Sequence, residues 1–282
     1  MISPLSDKSV QLVKCKTALS KSGLGDVDYA LNPYRGCSHG CLYCYAPDVT
    51  RCEKGEEWGS WVEAKTNISR MLKKEIDSVG EEVIGLATVT DPYLRAEERL
   101  GLTRACLEVI AGSKASLMLM TKSPLILRDI DLIRRMKKVE VCVTITTLDV
   151  KAASFFEPNV VEPIKRVELL HAINDAGIAT DVMISPFLST TDEPIKELKE
   201  LIRRISIIGC KSFTIDRLKL RPIGIKRIDS LLKNNPLHAA SIKEIAFRSE
   251  NMNLAKVIES LRQDEEFHGL KITAPRIDSS LF

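Results

Sequence analysis

Short apolar runs and longer amphipathic stretches alternate along most of this chain. Residues 83–90 (VIGLATVT) form a β-branched run closed by Asp91-Pro92, which predicts a buried strand. Before it, Ile68, Leu72 and Ile76 recur at helical spacing behind Thr66 or Asn67, either of which can cap the helix, and Gly80 follows. After it, a helix through Leu102, Leu107 and Ile110 ends near Gly112. A strand over 117–121 and a helix opening at Ser123-Pro124 come next. Residues 139–147 alternate cleanly: Val139, Val141, Val143 and Ile145 share one face, and Glu140, Cys142, Thr144 and Thr146 share the other. A helix over 163–176 stops at Gly177, and in the next strand, 178–185, Asp181, Met183 and Ser185 share a face. Asp192 is placed to cap a helix carrying Ile195, Leu198, Ile202 and Ile205, which Gly209 ends, and a further strand spans 212–216.

Strand and helix in strict alternation predict an α/β fold with a parallel sheet. With one strand just before residue 32, six βα units result. That is fewer than a complete eight-fold barrel, so the expected architecture is a partial (β/α)6 TIM-type barrel with a short C-terminal extension. The polar faces of residues 139–147 and 178–185 would look inward, as in a lumen built to hold something. Beyond Asp216 the character changes. Residues 217–227 (RLKLRPIGIKR) carry five basic residues and no acid, a helix is expected over about 241–261, and a tail, LKITAPRID, follows. A core of residues 1–216 and an extension of 217–282 is the domain division this suggests, unless the tail closes the barrel.

Composition narrows the class only a little. Of 282 residues, 44% are hydrophobic and 28% charged, an ordinary globular balance. The start, MISPLSDKSV, is too polar for an export signal, and no apolar run approaches membrane-spanning length. Eight cysteines without such a signal point to the reducing cytoplasm rather than to a disulfide framework. A net charge of +3 permits a nucleic-acid partner without requiring one.

The chemistry concentrates in residues 32–47, NPYRGCSHGCLYCYAP. Cys37, Cys41 and Cys44 form a C-x3-C-x2-C array, loosened by Gly36 and Gly40 and flanked by Tyr43 and Tyr45. Three thiolates on one short loop can converge on one metal centre. A cubane [4Fe–4S] cluster normally takes four cysteines, so three leave one iron open for chemistry. A structural zinc site needs four closed ligands, and the fourth would be His39 or a distant cysteine. A zinc-containing nucleic-acid-binding protein is therefore the alternative reading. Cys15, Cys52, Cys106 and Cys142 belong to no motif, although Cys142 would face inward on its strand.

This loop, with an aromatic residue before its third cysteine, resembles that of the radical S-adenosylmethionine (radical SAM) enzymes. Further blocks in order, TDPY at 90–93, TKSPLILRDIDLI at 121–133, TITTLD at 144–149, Glu157-Pro158 and the helix led by Arg166, resemble the subfamily around spore photoproduct lyase. The likeness runs from about residue 15 to 195. It implies a [4Fe–4S] cluster on Cys37, Cys41 and Cys44 and S-adenosylmethionine chelated to the open iron. It also implies an electron donor such as flavodoxin or ferredoxin, and a 5′-deoxyadenosyl radical that removes a hydrogen atom from substrate.

By the same resemblance, Thr90 and Asp91 hold the cofactor's amine and Lys122 its carboxylate. Thr144 or Thr146 meets the ribose, and Tyr43, Met183 and Ser185 lie by the adenine. The residues themselves also allow plainer roles: a turn at Asp91-Pro92, a solvated Lys122, β-propensity at the threonines and core packing for Met183. Glu157 and Arg166 either pair across the lumen or serve as cap and surface residues. One departure limits the likeness. Thr88 stands where spore photoproduct lyase has its hydrogen-donor cysteine, and no cysteine lies between Cys52 and Cys106. A thymine-dimer substrate is thus not implied, nor is the second cysteine cluster of many peptide-modifying relatives present. A nucleic-acid substrate rests on residues 217–227, for which the plainer role is a solvated loop edge.

Overall fold

The structure, a computed structural model, describes residues 10–234 and 239–275. The polar start of the chain and the last residues of the LKITAPRID segment lie outside them. Eleven strands are described: β1 (Val10–Val13), β2 (Leu19–Lys21), β3 (Tyr29–Leu31), β4 (Tyr34–Arg35), β5 (Val62–Lys65), β6 (Val83–Leu86), β7 (Ser116–Thr121), β8 (Val139–Thr144), β9 (Thr180–Phe187), β10 (Ser212–Arg217) and β11 (Lys271–Thr273). The helices are α1 (Ala46–Val49), α2 (Ile68–Glu75), α3 (Arg95–Leu100), α4 (Leu102–Ala111), α5 (Ile130–Ile133), α6 (Val150–Phe156), α7 (Pro163–Asp175), α8 (Pro194–Ser206), α9 (Pro222–Lys233), α10 (Ala239–Asn251) and α11 (Leu254–Gln263).

An eight-stranded sheet runs β11-β10-β9-β8-β7-β6-β3-β2, and a small sheet runs β1-β5-β4. From β3 to β11 every neighbouring pair in the large sheet is parallel, and β2 alone lies antiparallel on β3. The six strands expected of a partial barrel are β3, β6, β7, β8, β9 and β10. The tail supplies a seventh parallel strand, because Lys271, Ile272 and Thr273 pair with Ser212, Phe213 and Thr214 of β10. Residues beyond Asp216 thus return to the same sheet.

The period-2 pattern divides this sheet into two faces. Leu117, Leu119, Val141, Val143, Val182, Ile184, Phe213, Ile215 and Ile272 point outward and are buried with Leu107, Leu170, Ile202 and Leu261 of the helices. The register sets Met120 beside Cys142, Cys142 beside Asp181, Thr144 beside Met183, and Thr214 beside both Met183 and Thr273. These inward residues line a cavity.

Several local expectations are corrected, each for a tertiary reason. Asn67 holds the N-cap position of α2, as expected, but its side chain makes no capping hydrogen bond. Its amide instead accepts from the Cys15 N–H at 2.8 Å and donates to the Cys15 carbonyl at 2.8 Å, pinning the chain after β1. Asp192 does not cap α8 either: Glu193 holds that position, and Asp192 pairs with Arg248 at 2.6 Å. The strand read over 83–90 ends at Leu86, where Ala87 turns the chain at φ +68°. The helix expected over 241–261 is two, α10 and α11, because Asn253 caps a new start by accepting from the Lys256 N–H at 3.1 Å. Among the described residues no helix is long and apolar enough to cross a membrane.

Candidate active site

The cysteine loop leaves β4 and enters α1, and local turns give it its shape. The Gly40 N–H reaches the Cys37 carbonyl and the Cys44 N–H reaches the Cys41 carbonyl, both at 3.3 Å. Gly40 has φ +63°, and a Cβ placed there would stand 3.0 Å from the Gly59 Cα. Only a glycine lets the two segments approach so closely.

Distant parts of the chain then moor the loop. From the end of β6, the Thr90 hydroxyl donates to the Gly36 carbonyl at 2.6 Å, and the Tyr45 hydroxyl donates to the Thr88 carbonyl. From the end of α6, the Phe156 carbonyl accepts from the Leu42 N–H at 2.8 Å, and Asn159 donates to the Ser38 carbonyl at 3.0 Å. Arg227 of α9 donates to the carbonyls of Gly40, Cys41 and Trp58 at 2.8, 3.0 and 2.7 Å.

Cys37, Cys41 and Cys44 open onto the lumen cavity, which measures about 460 Å³. Of the positions expected at the site, Tyr43, Thr90, Asp91, Lys122, Thr144, Met183 and Ser185 line this same cavity. Thr146 does not. It follows the end of β8, is fully buried, and its hydroxyl has no hydrogen-bond partner among the described residues.

Asp91 braces the strand ends. Its carboxylate accepts from the Tyr93 N–H, the Thr121 hydroxyl and the Lys122 N–H, each at 2.9 Å. His39 Nδ1 stands 3.5 Å from Asp91 Oδ2. Burial holds the His39 imidazole below its ordinary value, Asp91 opposing this. Lys122 extends over the Tyr43 ring, its Nζ 5.9 Å from the ring centre. Burial would lower the Lys122 ammonium, but Cys41 and Glu157 outweigh it and raise its value.

Behind the cavity wall, Arg166 pairs with Glu157 at 2.6 Å, with side chains 0% and 1% exposed. Arg166 also donates to the Thr144 carbonyl at 3.0 Å, and the Tyr43 hydroxyl donates to Glu157. Glu157 and Arg166 therefore do pair, but behind the wall rather than across the lumen, and Glu157 also ends α6 as its C-cap. Elsewhere the shared sequence blocks act as scaffold. Asp149 caps α6 by accepting from the Ala152 N–H at 2.7 Å, and Arg128 clamps the buried Glu97 at 2.7 Å.

The thiols suit a cluster. Burial pushes Cys37, Cys41 and Cys44 upward, Cys41 to about 12, so as free groups they would stay protonated. Metal coordination deprotonates a thiol outright and removes that penalty. Among the described residues no three His, Cys, Asp or Glu side chains converge as ligands of a single ion. A cubane instead spreads its thiolates over separate irons.

Sequence reasoning missed three features of the site. Arg217, Lys219 and Arg221 border the cavity, although Arg217 and Lys219 keep the exposure of a solvated loop edge, and Arg227 is only 8% exposed against the cysteine loop. His39 and Tyr45 also face the cavity. The only signal for the basic residues was the run itself, in which nothing says which arginine turns inward; for His39 and Tyr45 it was their place in the cysteine loop.

Fold and site define an open, parallel α/β barrel that gathers a three-cysteine loop and a set of polar strand ends around one lumen. The chain belongs to the radical SAM superfamily, which it matches over residues 31–234. A Mycobacterium tuberculosis protein, described only as uncharacterised, is 33% identical over 220 residues, covering 74% of this chain and 65% of its own length. An uncharacterised Methanocaldococcus jannaschii protein is 32% identical over 177 residues, covering 62% of this chain and 66% of its own. The match therefore spans just under two thirds of the length of these relatives. Among solved structures, a spore photoproduct lyase variant with bound AdoMet and dinucleoside spore photoproduct shares the fold with a TM-score of 0.66. Its identity is 13%, over 94% of this chain and 81% of its own. Streptococcus suis SuiB bound to precursor peptide SuiA has a TM-score of 0.60 at 13% identity, over 87% of this chain and 48% of its own.

Proposed function

We propose that this chain is a cytoplasmic radical SAM enzyme that carries a [4Fe–4S] cluster on Cys37, Cys41 and Cys44 and takes S-adenosylmethionine into the lumen. The observation that carries this reading is the convergence of those three cysteines with Thr90, Asp91, Lys122, Thr144, Met183 and Ser185 on one cavity. When bound, and supplied with an electron by a flavodoxin or ferredoxin, cluster and S-adenosylmethionine together furnish a 5′-deoxyadenosyl radical for hydrogen abstraction from substrate.

The chain's own residues do the placing. The Lys122 ammonium is raised and half-buried, suited to a carboxylate in the lumen. A carboxylate offers about four acceptor positions, and Asp91 has three filled, so an ammonium donor would share the fourth with His39, 3.5 Å away. The Thr90 hydroxyl donates to Gly36 and can still accept. Thr144 and Ser185 present hydroxyls to the lumen, and Met183 and Tyr43 present apolar surface for an adenine. Thr146 has no part in this arrangement.

The neighbours named above were solved with a dinucleoside photoproduct in one case and a peptide in the other. Arg217, Lys219 and Arg221 on the cavity wall favour a nucleic acid here, since phosphates recruit such cations. The reaction class is lyase-like hydrogen abstraction, with a hydrogen donor other than a cysteine at position 88.

The test is anaerobic reconstitution with iron and sulfide, reduction, and assay of 5′-deoxyadenosine with and without single-stranded oligonucleotides. The expected result is 5′-deoxyadenosine that disappears in Cys41→Ala and rises with oligonucleotide, less so at high salt. Bound zinc and no 5′-deoxyadenosine would sink the enzyme reading in favour of a zinc protein. Formation indifferent to oligonucleotide would remove nucleic acid as the substrate.

A further inference from the structure

Helix α9 begins inside the basic run and lies about 180 residues from the cysteine loop in sequence, yet it is pressed at four points against that loop and the segment that follows it. Gly224 meets Leu42 so closely that a Cβ on it would stand 2.6 Å from the Leu42 carbonyl oxygen. The Ile223 N–H donates to Asp48 Oδ1 at 3.3 Å, and Lys226 pairs with Glu56 at 3.1 Å. Arg227 completes the contact with its guanidinium fork on the Gly40, Cys41 and Trp58 carbonyls.

The electrostatics of Arg227 are unusual. Among the described residues no carboxylate pairs with it, although only 8% of it is exposed. A buried cation without an anion is strongly unfavourable, and carbonyl dipoles offset that only in part. Burial pulls its value down, while Cys44, Cys41 and Cys37 act in the opposite direction. What the guanidinium holds is the backbone around Cys41, the middle cysteine of the loop, which a cluster would make anionic.

We propose that Arg227 is a positioning residue for the cluster: it moors the cysteine loop through three carbonyls and supplies the positive charge that stabilises the cluster's reduced state. This rests on the reading that Cys37, Cys41 and Cys44 carry an iron–sulfur cluster. Reduction adds one negative charge, so a fixed cation nearby favours the reduced form and raises the potential, which net charge and hydrogen bonding are known to set. Lysine would keep the charge and lose the fork, and methionine would lose both.

The experiment compares wild type, Arg227→Lys, Arg227→Met and Gly224→Ala after anaerobic reconstitution. Midpoint potential is read by redox titration monitored by electron paramagnetic resonance, and iron loss is read with a chelator. Arg227→Met is expected to shift the midpoint negative, with Arg227→Lys staying near wild type. All three variants are expected to lose iron faster, by about 10- to 100-fold for the two Arg227 changes. A potential unchanged in Arg227→Met, or lowered equally in Arg227→Lys, overturns the charge role. If Arg227→Met takes up no iron, Arg227→Lys and Gly224→Ala decide, and wild-type rates of iron loss in both overturn the mooring. Failure of wild type itself to take up a cluster would instead overturn the reading under Proposed function, and this inference with it.

Discussion

Glu157 shows how much one buried side chain organises here. Its carboxylate receives Arg166 at 2.6 Å and the Tyr43 hydroxyl, so the cavity wall, the cysteine loop and α7 meet at one group. Burial would push this carboxyl up, but Arg166 and Lys122 outweigh it and hold the value below the ordinary 4.5. Removing one partner of such a pair leaves the other charge buried and alone. Glu157→Gln is therefore expected to destabilise the protein by about 3–5 kcal/mol near neutral pH, as read by urea denaturation. The sign of the pH dependence follows from the lowered value. The stabilisation is complete above the ordinary carboxyl value and is lost as pH falls through the folded one. The gap between wild type and variant should accordingly narrow below about pH 4, and a gap that stays constant in acid would contradict this account.

At the scale of elements, the cysteine loop is shaped by what surrounds it. Gly40 is held at positive φ against Gly59, with the Asn159 amide nitrogen 3.4 Å from where a Cβ would sit. Gly40→Ala should destabilise by about 1–3 kcal/mol, through strain and displaced neighbours, in a measured shift of denaturation midpoint. A neutral result would mean the loop relaxes freely and is not held as described. The strands β8 and β9 were legible in the sequence because alternation of apolar and polar residues reports directly on two unlike faces. The side-chain partners of Asn67 and the capping role of Asp192 were misread for the opposite reason. Their positions beside helices were visible, but Cys15 and Arg248 compete for their side chains, and those partners arrive only on folding.

For the whole molecule, the C-terminal segment behaves as part of the barrel. Phe267 is 3% exposed and Ile272 likewise, both packed in the main core with Phe213 and Leu261. Phe267→Ala is expected to lower the stability of the entire protein by about 3–5 kcal/mol within a single unfolding transition. Two separate transitions, with only the smaller one shifted, would show instead that residues beyond 216 fold as their own unit. The site itself depends on this segment, because the Arg227 guanidinium comes from α9 and Lys271, Thr273 and Pro275 line the lumen.

What the sequence determined by itself was the local and the periodic: an α/β barrel in part, the three-cysteine loop, and the strand-end positions from Thr90 to Ser185. Cysteine spacing and side-chain alternation are properties of neighbours along the chain, so they can be read without coordinates. Tertiary structure decided what sits opposite what. It left Thr146 buried off the lumen lining, brought Glu157 under Tyr43, added β11 to the sheet and drove Arg227 from a basic surface run onto the cysteine loop. Each of those outcomes depends on desolvated contacts between segments far apart in sequence, where burial and pairing, rather than local propensity, set the energy.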